Sequence, residues 1–208
     1  RLMVGDATKI EDVEKLMGGK KADMVFTDPP YGIALDTIWE HKRRTFKKII
    51  GDENYFDISF LFNLGVPEVC VFGADYFMPA ICNLQGTMLV WDKRVEEAKD
   101  RMMLSAFEML WVNKKVKKVI FRKMWGSFLG GKERLEVVHP TQKPLSLLVD
   151  VMKHIDAKEK VLDLFGGSGS TLIACEQTNR TCYMMEIDPL YCDVIRKRYE
   201  NFITEKNV

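Results

Sequence analysis

The sequence predicts an α/β fold whose mostly parallel, twisted sheet carries helices on both faces. Strand-like and helix-like segments alternate at the start of the chain, and the same alternation returns near its end. Parallel strands need crossover segments of this kind, whereas antiparallel strands can follow each other through short turns. No repeat or low-complexity segment interrupts the 208 residues. We therefore expect one domain over residues 1–208, with a small insert at about residues 113–138.

The first half of the chain is read as alternating strands and helices. Apolar residues at helical spacing predict a first helix between two short apolar strands. β-Branched and aromatic residues mark the later strands, and Asp75 is a suitable N-terminal cap for a helix. The predicted strands cover residues 2–4, 24–27, 68–73 and 87–91, and the predicted helices cover residues 11–17, 55–64 and 75–84. Residues 32–51 are basic and lack clear periodicity, so we expect a long exposed loop there.

The second half begins with two strand-like stretches, residues 105–112 and 116–122. The segment Asn113-Lys114-Lys115 between them predicts a hairpin turn. Pro144 suits the first turn of a helix, and an apolar face follows it. The remaining predicted elements are strands over residues 161–165 and 182–185, a helix over residues 171–177, and a last helix that Asp188-Pro189 caps and that runs through Tyr199.

Composition restricts the class of protein more than it indicates a partner. Hydrophobic residues make up 47% and charged residues 29% of the chain, which is an ordinary globular balance. No run approaches the roughly 20 apolar residues that span a membrane, and no signal-peptide pattern is found. The net charge of +1 favours no partner. Because the chain starts at Arg1, we expect it to be part of a longer protein whose preceding domain is absent here.

The cysteines indicate a reducing compartment, which we take to be the cytoplasm. None of the five forms a C-x-x-C pair, and the three histidines are scattered, so we predict no metal site. Cys70, Cys175 and Cys182 lie in apolar segments and are expected to be buried free thiols.

The stretch Asp28-Pro29-Pro30-Tyr31, which we call the acidic corner, directly follows a predicted buried strand. Two successive prolines fix the backbone and remove two N–H donors, so the corner offers a carboxylate, bare carbonyl groups and an aromatic ring. It suits a flat aromatic base with an exocyclic amine, because the N–H groups of the amine need acceptors. The alternative is a surface turn, since Asp-Pro-Pro begins many turns.

The stretch Phe165-Gly166-Gly167-Ser168-Gly169, which we call the glycine loop, also follows a predicted buried strand and precedes a helix. Glycines allow close approach of a ligand to the backbone, and a helix N-terminus favours a negative group. Glu186 ends the next strand about 20 residues later, where cofactor sites of the adenosine type place a ribose-binding acid. A tight structural turn is the alternative for the loop alone. The loop and Glu186 together predict a cofactor site.

These two motifs together resemble those of the DNA amino-methyltransferases, which use S-adenosylmethionine to methylate the exocyclic nitrogen of adenine or cytosine. The segment His139-Pro140-Thr141-Gln142-Lys143-Pro144 is similar to the family segment that enters the helix before the cofactor loop. The catalytic motif precedes the cofactor loop, which is the circular permutation of the β class. The resemblance implies a Rossmann-like class I methyltransferase fold, with S-adenosylhomocysteine as the product.

A looser resemblance concerns what lies outside the chain. The combination of Gly5-Asp6, the glycine loop and the segment from Glu186 to Cys192 is similar to methyltransferases fused to ParB-like domains in phages and mobile elements. It implies a bacterial or phage-infected cell.

The resemblance implies a role for each motif residue. Asp28 and the Pro29 carbonyl would accept the N–H bonds of the amine, and Tyr31 would stack on a base flipped out of the duplex. Asp6 and Glu186 would contact the adenosine part of the cofactor. Asp163 and the glycine loop would surround its amino-acid part. Lys143 or Thr141 would hold the carboxylate of that part. Asp6 as a helix cap and Lys143 as a solvent-facing residue remain alternatives, and His139 is assigned no role.

DNA contact is expected from a basic run, Lys114, Lys115, Lys117 and Lys118, together with Arg122. The alternative is a solvated charged face. Because the chain leaves little room for target recognition, we expect low sequence specificity, or recognition supplied by a missing domain or by a second subunit in a homodimer.

Adenine-N6 methylation is the leading hypothesis, and Asp at the first motif position favours it. Cytosine-N4 methylation is the first alternative, because the same motif serves both reactions. A catalytically idle DNA-binding module is the second. Cytosine-C5 methylation is rejected, because that reaction uses a nucleophilic cysteine in a Pro-Cys pair and no cysteine here follows a proline.

Overall fold

The structure is a computed structural model that describes residues 1–34, 48–94, 105–124, 138–139 and 141–206. Its strands are β1 (Leu2–Val4), β2 (Met24–Thr27), β3 (Glu68–Phe72), β4 (Thr87–Asp92), β5 (Phe107–Val112), β6 (Ile120–Arg122), β7 (Lys160–Asp163) and β8 (Thr181–Glu186). Its helices are α1 (Ile10–Met17), α2 (Phe60–Asn63), α3 (Met78–Ile81), α4 (Leu145–His154), α5 (Ser170–Gln177) and α6 (Pro189–Lys206).

The strands form one sheet in the order β1-β8-β7-β2-β3-β5-β4-β6. Within the described residues β5 runs antiparallel to its neighbours β3 and β4, and the other neighbouring pairs are parallel. The prediction of a mostly parallel α/β sheet is therefore confirmed. Because β1, β8, β7 and β2 are parallel neighbours, their carboxyl ends meet at one edge of the sheet.

Alternate residues of the central strands enter two hydrophobic cores, one on each face of the sheet. Met24 and Phe26 of β2 point into the core that α4 and α5 cover, whereas Val25 points into the core that contains α1 and α2. All three side chains are fully buried. Strands buried on both faces read as continuous apolar runs, which is why β2 and β7 are recognisable from the sequence.

The predicted hairpin around Asn113-Lys114-Lys115 is wrong. Strands β5 and β6 do not pair with each other, because β4 lies between them and pairs with both. One edge of β5 is bonded to β3 and its other edge to β4, so neither edge is left for β6. Local sequence indicated two strands and a turn, but the pairing depends on edges that distant strands occupy.

Helices α2 and α3 are shorter than residues 55–64 and 75–84 predict, and Asp75 does not cap α3, whose N-cap is Phe77. Residues before α3 form tight turns instead, in which the Tyr76 and Phe77 N–H groups bond to Gly73 and Ala74. Tyr76 and Phe77 also pack against the ring of Tyr31. These tertiary contacts override the helical spacing.

Other local predictions are confirmed. Asp188 accepts the Leu190 N–H bond at the start of α6, which extends beyond Tyr199 to Lys206. Cys70, Cys175 and Cys182 are buried free thiols.

Among the described helices, none is both long and apolar enough to cross a membrane. Residues 35–47 of the expected loop and residues 125–137 of the expected insert lie outside the described residues.

The core predicts a clear difference between two leucines near β4. Leu89→Ala should lower the free energy of unfolding by about 2–5 kcal/mol, because the side chain is fully buried between strands and helices. Leu84→Ala, at a position that is 43% exposed, should change it by no more than about 0.5 kcal/mol. Urea unfolding of both variants checks the prediction, and equal losses would contradict the position of this core.

Candidate active site

The acidic corner begins where β2 ends, at the edge of the sheet where the parallel strands have their carboxyl ends. Gly32 has φ +71°, and a side chain there would lie 2.4 Å from the Asn54 carbonyl oxygen. The buried carboxylate of Asp52 accepts the Gly32 N–H at 2.8 Å and the Ile33 N–H at 3.4 Å. The corner is therefore held by a glycine that permits the turn and by an acid that bonds its backbone.

Tyr31 is fixed by both its hydroxyl and its ring. The hydroxyl lies 2.6 Å from Asp28 Oδ1 and 2.8 Å from Glu108 Oε1, and it donates its single proton to one of them at a time. The ring stacks on Tyr76 with centroids 4.8 Å apart, and it meets the edge of Phe77 at 6.0 Å. Gly73 leaves room for it, since a Cβ there would lie 2.2 Å from the ring.

Lys143 joins the same cluster from the chain just before α4. Its ammonium lies 2.6 Å from Asp28 Oδ2, 3.1 Å from Glu108 Oε1 and 3.1 Å from the Tyr31 hydroxyl. Lys93 reaches the other oxygen of Glu108 at 3.0 Å. The site thus contains two carboxylates, two ammonium groups and one phenol in direct contact.

Burial and charge act in opposite directions on this cluster. Burial, helped by the negative charge of Glu108, raises the pKa of Asp28 despite the nearby Lys143 ammonium. Burial alone would also raise the pKa of Glu108, but Lys143 and Lys93 lower it overall. Burial would lower the pKa of Lys143, whereas Asp28 and Glu108 raise it overall. At neutral pH, Lys143 is therefore a buried cation shared between two carboxylates.

The glycine loop connects β7 to α5. Gly169 is the N-cap of α5 with φ +77°, and a side chain there would lie 2.8 Å from Ile195. Glu186 ties the loop to β8, since its Oε2 accepts the Gly167 N–H at 2.7 Å and its Oε1 accepts the Asp188 N–H at 2.9 Å. Burial raises the pKa of Glu186.

Asp163 links the glycine loop to the acidic corner. Its Oδ1 accepts the Thr27 hydroxyl at 2.7 Å and the Phe165 N–H at 3.1 Å. The parallel pairing of Met24 with Val161 and of Val25 with Leu162 brings the carboxyl ends of β2 and β7 together. Burial raises the pKa of Asp163 to about 7. The sheet therefore brings the two motifs together.

One cavity of about 190 Å³ is lined by both motifs. The residues of the cofactor and catalytic predictions that line it are Asp6, Asp28, Pro29, Pro30, Tyr31, Thr141, Lys143, Asp163, Phe165, Gly166, Gly167, Ser168 and Glu186. Gly169 is not part of the lining, because it faces Ile195 behind the loop.

Lys143 lies in this cavity, but not in the way that the resemblance implies. Its side chain is 7% exposed, and its ammonium contacts Asp28 and Glu108 rather than pointing into free space. This geometry disfavours Lys143 as the group that holds a cofactor carboxylate. Thr141, whose hydroxyl lies 3.1 Å from His139 Nδ1, is the remaining predicted residue for that role.

The basic run that was expected to contact DNA lies away from the cavity. Lys114 pairs with Glu68 at 2.7 Å, at the start of β3 and therefore at the sheet edge opposite the acidic corner. The Lys117 carbonyl lies 2.7 Å from His154 Nε2 at the end of α4. Arg122 ends β6 on the cavity side, 3.8 Å from Asp92. The geometry disfavours the lysines as contacts beside the cavity, and their binding to DNA stays a prediction.

Two buried ionisable residues near the cavity have no role in the sequence-based prediction. Glu108 is 6% exposed within the otherwise apolar β5, and an acid inside such a strand was the available signal. His139 is 9% exposed, and its ring contacts Tyr191 and lies beside Gly167. Burial and the Lys143 charge lower its pKa to about 4, so it is neutral at neutral pH.

Asp163 predicts a pH dependence of stability. The folded protein holds the Asp163 proton up to about pH 7, whereas an unfolded chain releases it near its ordinary pKa of 3.8. The stability contributed by this group is therefore full below about pH 4 and is lost as the pH rises to about 7. The unfolding free energy of the wild type minus that of Asp163→Asn should therefore decrease as the pH rises from about 4 to about 7. Urea unfolding at several pH values measures this difference. A constant difference would contradict the raised pKa.

Comparisons with solved structures agree with this architecture. The chain is similar to the M1.HpyAVI–SAM complex, with a TM-score of 0.60 and 21% identity over 95% of this chain and 98% of that chain. It is also similar to PvuII DNA methyltransferase, described as cytosine-N4-specific, with a TM-score of 0.58 and 15% identity over 95% and 85% of the two chains. These likenesses show the fold.

A third similar structure is a putative DNA modification methylase from Thermus thermophilus, TTHA0409, complexed with S-adenosyl-L-methionine. Its TM-score is 0.54, with 17% identity over 97% of this chain and 93% of that chain. Among curated proteins, none matches the chain significantly.

The sequence matches a family model described as DNA methylase, of the N6 and N4 methyltransferase type, over residues 80–197. This match covers Lys143, which contacts both Asp28 and Glu108, and it also covers Glu108, the glycine loop and Glu186. Since more than half of the chain is matched, the protein belongs to the DNA methylase family.

Proposed function

We propose that this protein transfers a methyl group from S-adenosylmethionine to the exocyclic N6 amine of adenine in DNA. The observation that carries the proposal is the shared cavity, in which the acidic corner and the glycine loop face the same space. A displacement between two bound molecules depends mainly on holding the reacting atoms close and in line. Adjacent sites for the acceptor amine and the methyl donor meet that requirement.

The residues around the glycine loop fit S-adenosylmethionine. The cofactor presents ribose hydroxyls and an ammonium group as donors, and the cavity presents the carboxylates of Asp6, Asp163 and Glu186 as acceptors. Both oxygens of Glu186 already accept a backbone N–H, but each keeps a second lone pair for a hydroxyl. We assign Glu186 and Asp6 to the adenosine part, and Asp163, Thr141 and the glycine loop to the amino-acid part. When bound, the cofactor supplies an electrophilic methyl group on a sulfonium.

Asp28 and the Pro29 carbonyl would activate the amine. The lone pair of an exocyclic amine is conjugated with its ring, so the nitrogen is a poor nucleophile. Acceptors for both N–H bonds favour a more tetrahedral nitrogen whose lone pair is free to attack. Asp28, Pro29 and the glycine loop line the same cavity, which supports a position of these acceptors next to the proposed methyl donor.

Tyr31 would hold the base after it leaves the duplex. Its ring is immobilised by the hydroxyl contacts to Asp28 and Glu108, so it offers a rigid stacking surface. Tyr76 already covers one face of that ring. A base that stacks on Tyr31 would therefore take the opposite face or replace Tyr76.

Cytosine-N4 methylation is the second candidate function. The matched family model includes both N6 and N4 enzymes, and a cytosine-N4-specific methyltransferase is among the similar structures. Asp as the first residue of the acidic corner favours adenine.

One experiment tests the proposed function and separates the candidates. Unmethylated duplex DNA is incubated with the protein and isotopically labelled S-adenosylmethionine, digested to nucleosides and examined by mass spectrometry. We expect labelled N6-methyladenine. Labelled N4-methylcytosine would overturn the choice of base but keep the reaction. Cofactor binding without any transfer would favour a catalytically idle module.

Asp28→Ala should reduce methyl transfer by at least about 100-fold, because the amine loses its charged acceptor. Cofactor affinity should change little, since Glu186 and the glycine loop are untouched. Asp23→Ala is the matched control, because Asp23 precedes β2 and its carboxylate accepts the Lys160 N–H at the opposite sheet edge. Initial rates and calorimetric binding check both variants. An active Asp28→Ala enzyme would contradict the assigned role.

A further inference from the structure

Both donors that hold the Asp28 carboxylate also contact Glu108. Lys143 bonds to Asp28 at 2.6 Å and to Glu108 at 3.1 Å, and the Tyr31 hydroxyl lies 2.6 Å and 2.8 Å from the same two acids. In this arrangement each oxygen of Asp28 already has a partner, since Oδ1 contacts Tyr31 and Oδ2 contacts Lys143.

Substrate binding therefore creates a competition at Asp28. The proposed reaction requires Asp28 to accept an N–H bond of the amine, and the carboxylate accepts that bond more strongly when Lys143 and Tyr31 bond to it less. Lys143 is 7% exposed and lies near the rings of Tyr31, Phe72 and Trp91. A buried ammonium without a counter-charge is strongly unfavourable, so Lys143 needs another acid close enough to keep it.

Glu108 has the geometry for this task. It is 6% exposed, it lies opposite Trp91 in the β4–β5 ladder, and Lys93 holds its Oε2 at 3.0 Å. This contact leaves Oε1 directed at Lys143 and the Tyr31 hydroxyl. The Lys143 ammonium and the Tyr31 hydroxyl can thus keep their bonds to Glu108 when their bonds to Asp28 weaken.

We propose that Glu108 is a positioning residue, which retains Lys143 and the Tyr31 hydroxyl when the substrate amine takes their places on Asp28. This inference rests on the proposed function. In this role Glu108 contacts neither the base nor the methyl donor. It acts through the two donors and frees the acceptor that the amine needs.

Glu108→Gln tests the proposal, because it keeps the size and one acceptor oxygen but removes the charge. Lys143 is then held more strongly by Asp28. We expect kcat to fall by at least about tenfold, the loss typical of a charge-assisted contact that matters only during reaction, while cofactor affinity changes less than about twofold. Glu68→Gln is the matched control, since Glu68 pairs with Lys114 at the opposite sheet edge and should keep wild-type activity.

A double variant distinguishes competition from simple structural support. If Glu108 acts by drawing Lys143 away from Asp28, Lys143→Met in the Glu108→Gln background removes the competitor. The double variant also restores the charge balance, and it should be faster than Glu108→Gln alone. A merely structural role predicts a double variant that is equally slow or slower.

The pH profile gives a further signature. The ionisable groups around Asp28 are Tyr31, Glu108, Lys143 and Asp163, with Lys93 behind Glu108. The negative charge of Glu108 raises the pKa of Asp28, so its removal should move the acid limb of kcat/KM to lower pH. If Glu108→Gln does not fold, Glu108→Asp replaces it. Glu108→Asp keeps the negative charge, so the acid limb of kcat/KM should not move. Its shorter side chain should still lower the activity.

The outcomes are distinguishable. A slow Glu108→Gln enzyme, partial recovery in the double variant and a shifted acid limb would support the proposal. Activity of Glu108→Gln equal to that of Glu68→Gln, or a double variant no faster than Glu108→Gln, would overturn it. Wild-type protein that transfers no methyl group would overturn the proposed function, and this inference with it.

Discussion

The parallel pairing of β2 with β7 is the constraint on which the whole site depends. It brings the two strand ends together, and the buried hydrogen bond from Thr27 to Asp163 crosses between them. A carboxylate and a glycine loop that are far apart in the sequence thereby share one cavity. Because both strands are buried on both faces, a shift in their register would displace two hydrophobic cores as well as the site.

The second constraint is charge balance inside the protein. Four ionisable groups form a chain of contacts next to the cavity, in which Lys93 contacts Glu108, Glu108 contacts Lys143 and Lys143 contacts Asp28. Three of the four come from outside the acidic corner. Removing one charge leaves another without its partner, which usually costs more than the pair contributes. The same balance lets donors be exchanged between two acids without leaving any of them unpaired.

Much of this architecture could be predicted from the sequence, and the failures have physical reasons. The buried parallel strands, the acidic corner, the glycine loop and Glu186 are local signals, and the structure places them at one sheet edge. The hairpin prediction failed because pairing depends on which strand edges remain open. Glu108 was missed because its importance depends on its contacts with Lys93 and Lys143. No regular sequence spacing links these three residues. Lys114 was predicted to contact DNA, although the structure pairs it with Glu68, which is distant in the sequence.

The sequence by itself determined the acidic corner, the glycine loop and Glu186 as groups of the site. Proline fixes the backbone, glycine permits tight turns, and apolar runs mark buried strands. The acidic corner and the glycine loop can therefore be recognised from the sequence. The tertiary structure decided which of those groups meet. Electrostatic contacts act over a few ångströms of space rather than over sequence distance, so the assignment of Lys143 to Asp28 and Glu108 became visible only in the folded chain.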